Sequence, residues 1–543
     1  MWIAMMIGCL PGCSEPGPLP SGDASAPDVI LVSIDTLRAD HLSSYGYERQ
    51  TSPFLDSLAA DGVRFAQARS ASPWTLPAHT TMLTGQLPST HRVVDDSLSL
   101  SETVPYLPDV MAQAGYHTGG FVSTLYVSRM FGFQRGFEHF DDFGIETEKE
   151  NLRGETIAED VIDRALAWWS GQPAEEPVFL FLHFYDVHYT YDPPAPYDTM
   201  FDRAPESGDQ KYKNYFHFLK KPVDDVQMTH QVAQYDESIR YVDAQLKRLA
   251  DAAAAAGRSV RWVVTSDHGE EFGERGSWGH AHTLYAEQLH IPLIVSGPGI
   301  SGGGVVEEWV GNHDIAPTIA GWVDGTLDAD GINLAPAMAG TPVPPRAFLA
   351  ETTRFKTNRL SLLEGGLRLE WDLKSNHIEL FEPATDPKEA TDLSSARPED
   401  VAALTARAIA LLGADWEASR GGTVRPDRAV ILSDKGRTKK RSVQAGDQFA
   451  VLPYDAPVRF VEGDEQHGPW QAAGGAAPGE GDPLTLLRAA GTSGVIMDDA
   501  DRAMLEALGY ITTDEPAPTL PDCDAVAGEV GVDCVESSAP SPE

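Results

Sequence analysis

The sequence predicts an α/β fold: a doubly wound, mainly parallel sheet followed by a smaller antiparallel-sheet subdomain. Two observations point to the main sheet. Apolar runs that end in a polar residue recur: Val29-Ile-Leu-Val-Ser-Ile34 before Asp35, Val178-Phe-Leu-Phe-Leu-His-Phe-Tyr185 before Asp186, Val260-Arg-Trp-Val-Val264 leading to Asp267, and Pro292-Leu-Ile-Val295 before Ser296. Such near-continuous apolar strands are covered on both faces, as in a parallel sheet. Helical periods lie between them, at Ile157, Val161, Ile162, Ala165, Leu166 and Trp169 and at Ile239, Val242, Leu246 and Leu249; strands alternating with helices mean a doubly wound domain. The third observation concerns the smaller sheet. Leu360–Leu363, Leu367–Trp371 and Ile378–Phe381 are short alternating runs joined by Gly365-Gly366 and Ser375-Asn376, as in antiparallel hairpins.

Taken in order, residues 1–27 read as a leader and tether. The apolar start is shorter than the roughly 20 residues a bilayer requires and lacks a positive n-region. Leu10-Pro11-Gly12-Cys13 resembles a bacterial lipobox, and Met6-Ile7-Gly8-Cys9 is a poorer match. The expectation is export to the periplasm or cell envelope, with a membrane lipid anchor on Cys13. Residues 28–345 carry the α/β pattern and 346–420 the small α+β unit, with a helix from about 398. Residues 421–511 are Gly/Pro-rich, and Lys435, Arg437, Lys439, Lys440 and Arg441 there read as a solvated basic loop. Residues 512–543 hold eight acidic residues and no basic ones, a composition expected to stay disordered.

Composition excludes several functions. The four cysteines, Cys9, Cys13, Cys523 and Cys534, leave the body of the chain without one. A cysteine nucleophile, a Cys₄ zinc module and a disulfide-built scaffold are therefore out. A net charge of -40 excludes a nucleic-acid binder, which needs a basic face to displace counterions. Cys523 and Cys534 would be able to close a disulfide if the protein is exported.

In a doubly wound sheet the ligand sits beyond the carboxyl ends of the strands. Asp35, Asp186 and Asp267 all fall there, which reads as a site rather than as three separate caps. The richest stretch is Ser72-Pro-Trp-Thr75-Leu-Pro77-Ala-His79-Thr-Thr-Met-Leu83-Thr-Gly85. Pro77 suits the first helical turn, so Thr75 stands at a helix N-terminus, where free N–H groups and the dipole favour an anion. A hydroxyl there needs activation to attack anything, and a metal supplies it. The candidate ligands are Asp35, Asp267 and His268. Spacing alone reads Thr75 as an ordinary helix cap.

From residue 28 to about 322 the chain resembles the sulfatase family of the alkaline phosphatase superfamily. The matching segments are Asp28 through Asp35-Thr-Leu-Arg38 and Leu42, Tyr45-Gly46 with Thr51 to Asp56, Thr75 through Gly85, and His183-Phe-Tyr-Asp186-Val-His188 to Pro194. Thr265-Ser-Asp267-His268-Gly269-Glu270 through Gly279-His280 to Leu293 follows, then Asp314 to Thr318. A weaker match covers 378–382 and 505–510. The resemblance implies an alkaline-phosphatase-like fold and hydrolysis of an anionic ester, small-molecule, glycan or lipid-linked.

Departures from the family pattern matter. Sulfatases carry Cys, sometimes Ser, at the nucleophile, oxidised to formylglycine, and Arg four residues later; here these are Thr75 and His79. Formylglycine cannot be made from Thr. The set is closer to superfamily branches that use a threonine on phosphate esters. Thr36 stands where many sulfatases have a second Asp, and His268 where Asn is common. One carboxylate fewer and one imidazole more favours Mn²⁺ or Zn²⁺ over Ca²⁺. The resemblance thus implies one divalent metal on Asp35, Asp267, His268 and Thr75. Thr75 would attack phosphorus or sulfur, His188 and His280 would contact the equatorial oxygens and protonate the leaving group, and His79 would position Thr75. His183, His282, His290 and His313 read as structural or peripheral. A phosphoester hydrolase is expected first. The competing readings are a sulfuric ester hydrolase, a phosphoglycerol-type transferase and a non-catalytic metal- or carbohydrate-binding relic.

Overall fold

The computed structural model describes residues 26–142, 157–202 and 225–419, apart from Ser97, Ser301 and Lys374, with short strands between Thr423 and Gly494. Cys13 and the tether, the bridge pair Cys523 and Cys534, and segment 505–510 lie outside the described residues. Among the described residues no helix is long and apolar enough to cross a membrane.

Eight strands form the main sheet: β1 (Asp28–Ile34), β2 (Val63–Arg69), β3 (His117–Phe121), β4 (His139–Asp141), β5 (Val178–Phe184), β6 (Val260–Thr265), β7 (His290–Ser296) and β8 (Gly304–Gly311). In space they run β8-β2-β7-β6-β1-β5-β3-β4. All pairs are parallel except those of β7, which is antiparallel to both β6 and β2. The apolar run at Pro292 is therefore the one reversed strand. Its side chains still enter the cores on both faces, Ile291, Leu293 and Val295 on one and Ile294 on the other, so its composition matches the parallel strands.

The seven residues of β1 are all buried, because alternate side chains enter different cores. Val29 and Leu31 pack with Phe179 and Phe181 and with α2 (Thr75–Thr84), α3 (Leu107–Gln113) and α6 (Ile315–Gly321) through Leu76, Met82, Leu107, Met111 and Ile319. Ile30, Val32 and Ile34 pack with Leu180 and Leu182 and with α1 (Pro53–Asp61), α4 (Ala158–Ser170) and α5 (Asp225–Ala255) through Leu55, Ile162, Trp169, Ile239 and Leu246. Helices thus cover both faces, and truncating one such side chain to Ala costs about 2–5 kcal/mol.

The second sheet has four strands, not three: β9 (Phe348–Thr352), β10 (Arg359–Glu364), β11 (Leu367–Asp372) and β12 (His377–Phe381), antiparallel in that order. Gly365 (φ 63°) and Gly366 (φ 81°) make the β10–β11 turn in the left-handed region, which glycine adopts without a Cβ clash. The helix α7 (Pro398–Ser419) lays Leu404 and Ala408 on this sheet. Thr352 donates to the carbonyl of Ala281 at 3.0 Å, joining the sheet to the main-sheet edge that bears the functional residues.

Candidate active site

The carboxyl ends of β5, β1 and β6 lie side by side, with Ile34 opposite Phe184 and Ser33 opposite Thr265. Asp35 therefore emerges at the centre of this edge and Asp267 beside it. Thr75 opens α2, with Trp74 as an extended cap and Gly85 (φ 73°) closing the helix. All ten residues of α2 are buried. Two of its hydroxyls are satisfied within the helix: Thr80 donates to Leu76 O at 2.8 Å and Thr84 to Thr80 O at 2.6 Å.

Asp35, Asp267 and His268 are the one group of potential metal ligands of this kind among the described residues, with ligand atoms all within 4.8 Å of one another. Their hydrogen bonding is incomplete. Neither oxygen of Asp35 accepts a hydrogen bond, nor does Oδ2 of Asp267, and all are buried. Oδ1 of Asp267 is satisfied by the backbone N–H of His268 at 2.9 Å and of Thr36 at 3.2 Å. His268 Nδ1 lies 2.9 Å from the carbonyl of Gly269; a carbonyl only accepts, so Nδ1 carries the proton. The Nε2 lone pair then faces Asp267 Oδ2 at 3.2 Å, Asp35 Oδ1 at 3.7 Å and Thr75 Oγ1 at 3.4 Å. A lone pair aimed at two carboxylates needs positive charge between them. A proton satisfies one contact, whereas a divalent cation satisfies every orphaned oxygen and also reaches the Thr75 hydroxyl. Burial, then the neighbouring charge of Asp267, pushes the Asp35 carboxyl well above the usual range. Burial acts the same way on Asp267, but His268, His79 and His183 outweigh it and hold that group low.

His79 lies one helical turn below Thr75. Its Nδ1 donates to the Thr75 carbonyl at 2.9 Å, and Nε2 lies 2.9 Å from Ser33 Oγ, which must donate. Nδ1 also lies 3.5 Å from Asp267 Oδ2. Burial lowers its pKa to about 3, so it is a neutral strut between β1, α2 and Asp267. His188 and His280 form the opposite wall, ring centroids 4.9 Å apart, with His280 4.5 Å from His268. His188 Nδ1 donates to Tyr189 O at 2.6 Å, and its Nε2 is buried without a hydrogen bond. His280 Nδ1 lies 2.8 Å from Glu270 Oε1, and Tyr191 donates to Glu270 Oε2 at 3.0 Å.

Two readings change. Asp186 stands at the correct edge but turns away from the cluster: its Oδ1 accepts the N–H of Ala158 at 2.8 Å, at the start of α4. Burial pushes its pKa up to about 7, and no cation lies near. It is a helix-terminus acceptor, not part of the site. His183 is not peripheral. It is wholly buried, its Nε2 lies 3.3 Å from Asp35 Oδ2, and its ring stands 5.0 Å from that of His79. His282 and His290 serve structure: His282 bonds Ser277 and Glu271, and His290 bonds Ala66 O; the His313 ring stands 6.0 Å from that of Phe348. Ser33 and Glu270 were missed. Glu270 is directly downstream of Asp267-His268-Gly269, which is the only signal that could have found it.

A sulfatase family model matches residues 27–326, more than half of the chain. Choline-sulfatase of Rhizobium meliloti (strain 1021) is 23% identical over 437 residues, covering 70% of this chain and 85% of that protein. The arylsulfatase of Clostridium perfringens (strain 13 / Type A) is 22% identical, covering 68% of this chain and 90% of its own. Among solved structures, the phosphonate monoester hydrolase from Silicibacter pomeroyi superposes with a TM-score of 0.59 at 24% identity, covering 70% of this chain and 94% of the other. On the family model and on the ordered edge of Asp35, Thr75, Asp267 and His268, the chain belongs to the sulfatase family of ester hydrolases.

Proposed function

We propose that the protein is a metal-dependent hydrolase that cleaves a phosphate mono- or diester through a covalent Thr75 ester. The observation that carries this reading is the Thr75 hydroxyl, 3.4 Å from His268 Nε2, the nitrogen that faces the orphaned oxygens of Asp35 and Asp267. Asp35, Asp267, His268 and Thr75 would hold one divalent ion, and two carboxylates with an imidazole and a hydroxyl suit Mn²⁺ or Zn²⁺ better than Ca²⁺. Bound there, the ion acts as a Lewis acid that lowers the pKa of the Thr75 hydroxyl and offsets negative charge.

The chain's own residues do the rest. The Thr75 Oγ–P bond forms as the bond to the leaving oxygen breaks. The His188/His280 wall, whose imidazoles burial keeps neutral, would take the proton that Thr75 gives up and pass it to that oxygen, and the N–H groups at the start of α2 would receive the phosphoryl oxygens. Water then forms a new O–P bond, the Thr75 Oγ–P bond breaks, and the hydroxyl is restored. His79 holds the Thr75 carbonyl and so fixes where Oγ points. A threonine has one hydroxyl, so its ester is released by a second attack at the central atom. Together with the impossibility of formylglycine, this favours phosphorus. Sulfate esters are the second reading, supported by the choline-sulfatase and arylsulfatase relatives. Export, with lipidation of Cys13, is our reading of the leader sequence alone.

Assays on p-nitrophenyl phosphate, bis-p-nitrophenyl phosphate and p-nitrophenyl sulfate, with Mn²⁺, Zn²⁺ or Ca²⁺, separate the alternatives. The expected result is faster phosphoester cleavage, abolished in Thr75→Ala. Fastest cleavage of the sulfate, persisting in Thr75→Ala, would overturn the proposal.

A further inference from the structure

Thr36, immediately after Asp35, has a left-handed backbone (φ 58°). This conformation crowds the Cβ of an L-residue against its own backbone carbonyl and persists only where neighbours over-determine it. Each polar atom of Thr36 is held by a different part of the chain. Its N–H donates to Asp267 Oδ1 at 3.2 Å, and its hydroxyl donates to Val187 O at 2.9 Å. Its carbonyl accepts the hydroxyl of Tyr235 at 2.8 Å, and the same Tyr235 oxygen accepts the N–H of Arg38 at 2.8 Å. One phenol therefore pins both ends of the turn after β1.

Tyr235 is fully buried on α5, and α5 is itself fixed to this part of the molecule. The adjacent Asp236 receives Tyr47 at 2.6 Å and both His41 and Arg49 at 2.7 Å, and Asp243 receives the N–H groups of Phe54 and Leu55 at 3.0 and 2.9 Å. The phenol thus sits on a rigid mount.

We propose that Tyr235 is a positioning residue for the divalent ion: it locks the strained Thr36 turn and thereby sets the Asp35 and Asp267 carboxylates relative to each other. The link is the Asp35–Thr36 peptide. One ligand carboxylate hangs from the residue on its carbonyl side, and its N–H anchors the inner oxygen of the other, so that Asp267 Oδ2 is left facing His268. Without the phenol hydroxyl, Thr36 relaxes toward negative φ. That relaxation rotates either this peptide or the loop after it, and the two carboxylates lose their register. Tyr235 touches neither ligand side chain, so it acts only through Thr36.

The inference rests on the reading that Asp35, Asp267 and His268 bind a metal, and the test separates the two. Mn²⁺ affinity is measured by calorimetry on the full chain for the wild type, Tyr235→Phe and Tyr241→Phe. Tyr241 is another buried tyrosine of α5, whose oxygen accepts the N–H of Glu159 at 3.1 Å, away from the turn. Tyr235→Phe keeps its ring against Tyr191, Phe272 and His41. Its Mn²⁺ affinity should fall by about tenfold or more, as for other outer-shell substitutions, while Tyr241→Phe stays at the wild-type value. In a Thr36→Gly background, where the left-handed turn carries no strain, adding Tyr235→Phe should cost less affinity than it does in the wild type. Wild-type affinity in Tyr235→Phe, or an equal loss in Tyr241→Phe, would overturn the inference with the metal reading intact. No Mn²⁺ binding by the wild type would overturn both.

Discussion

Two buried charge clusters flank the junction of the two sheets, and they are built on opposite rules. Arg368, wholly buried on β11, has its own charge answered in full. The guanidinium donates to Glu389 from Nε at 2.5 Å and from Nη2 at 2.7 Å. Its Nη1 donates to Glu370 at 2.9 Å, Ser361 at 2.9 Å and Leu284 O at 3.0 Å. At the edge of the main sheet, Asp35 and Asp267 are as deeply buried, and three of their four oxygens accept nothing. A closed set of partners makes the first cluster a strut. The open valence of the second is what a ligand completes. Burial of charge does not by itself mark a site, and neither does one orphaned oxygen, since Asp186 Oδ2 is also buried without a partner; several orphaned ligand atoms converging on one point do.

This contrast can be broken in graded steps. The largest effect is expected at the open cluster and on activity. Thr75→Ala should lower kcat for the best phosphoester substrate by about 10⁴-fold or more, with a melting temperature close to that of the wild type. Next is the closed cluster, where Arg368→Met strips Glu370 and Glu389 of their buried fork and leaves them only Arg359 at 3.2 Å and Arg69 at 3.7 Å. It should destabilise the fold by about 3–5 kcal/mol in denaturant unfolding. Asp35→Asn gives the opposite sign. It replaces a buried carboxyl whose oxygens accept no hydrogen bond and whose ionised form burial disfavours, so the metal-free variant should unfold at the same denaturant concentration as the wild type or a higher one. At saturation near 100 times the dissociation constant, Mn²⁺ should add about 2.7 kcal/mol to the wild type and nothing to Asp35→Asn.

The smallest effect lies far from both clusters. His117, at the start of β3, sits between Glu138 at 2.8 Å and Glu176 at 2.5 Å. Its pKa is raised, burial opposing and the two glutamates prevailing. A raised folded pKa contributes stability that is complete below the ordinary histidine value and is lost as pH rises through the folded one. His117→Gln should therefore lower the melting temperature slightly at pH 5 and not at all at pH 9.

Legibility in the sequence followed the same physics. β1, β5 and β6 were readable because burial on both faces makes them continuous apolar runs. β3, His-Thr-Gly-Gly-Phe, carries no such signal. Its Gly119 is required because a Cβ there would lie 2.7 Å from the Trp168 ring, a constraint visible only once the helix is in place. Asp35, Thr75, Asp267 and His268 were legible as strand ends and a helix start. Asp186 shared that position, but the nearby N–H groups of α4 captured its side chain. His183 lies within β5, where both faces are buried, and nothing in the pattern tells which side a residue takes. The three-dimensional pairing decides it, placing His183 against Asp35.

The most direct test of the account is the metal content of exhaustively dialysed protein, measured by elemental mass spectrometry alongside phosphoesterase activity. The account predicts one divalent ion per chain in the wild type, none in Asp35→Asn or Asp267→Asn, and activity that disappears and returns with the ion. A metal-free wild type that retains full activity would contradict it.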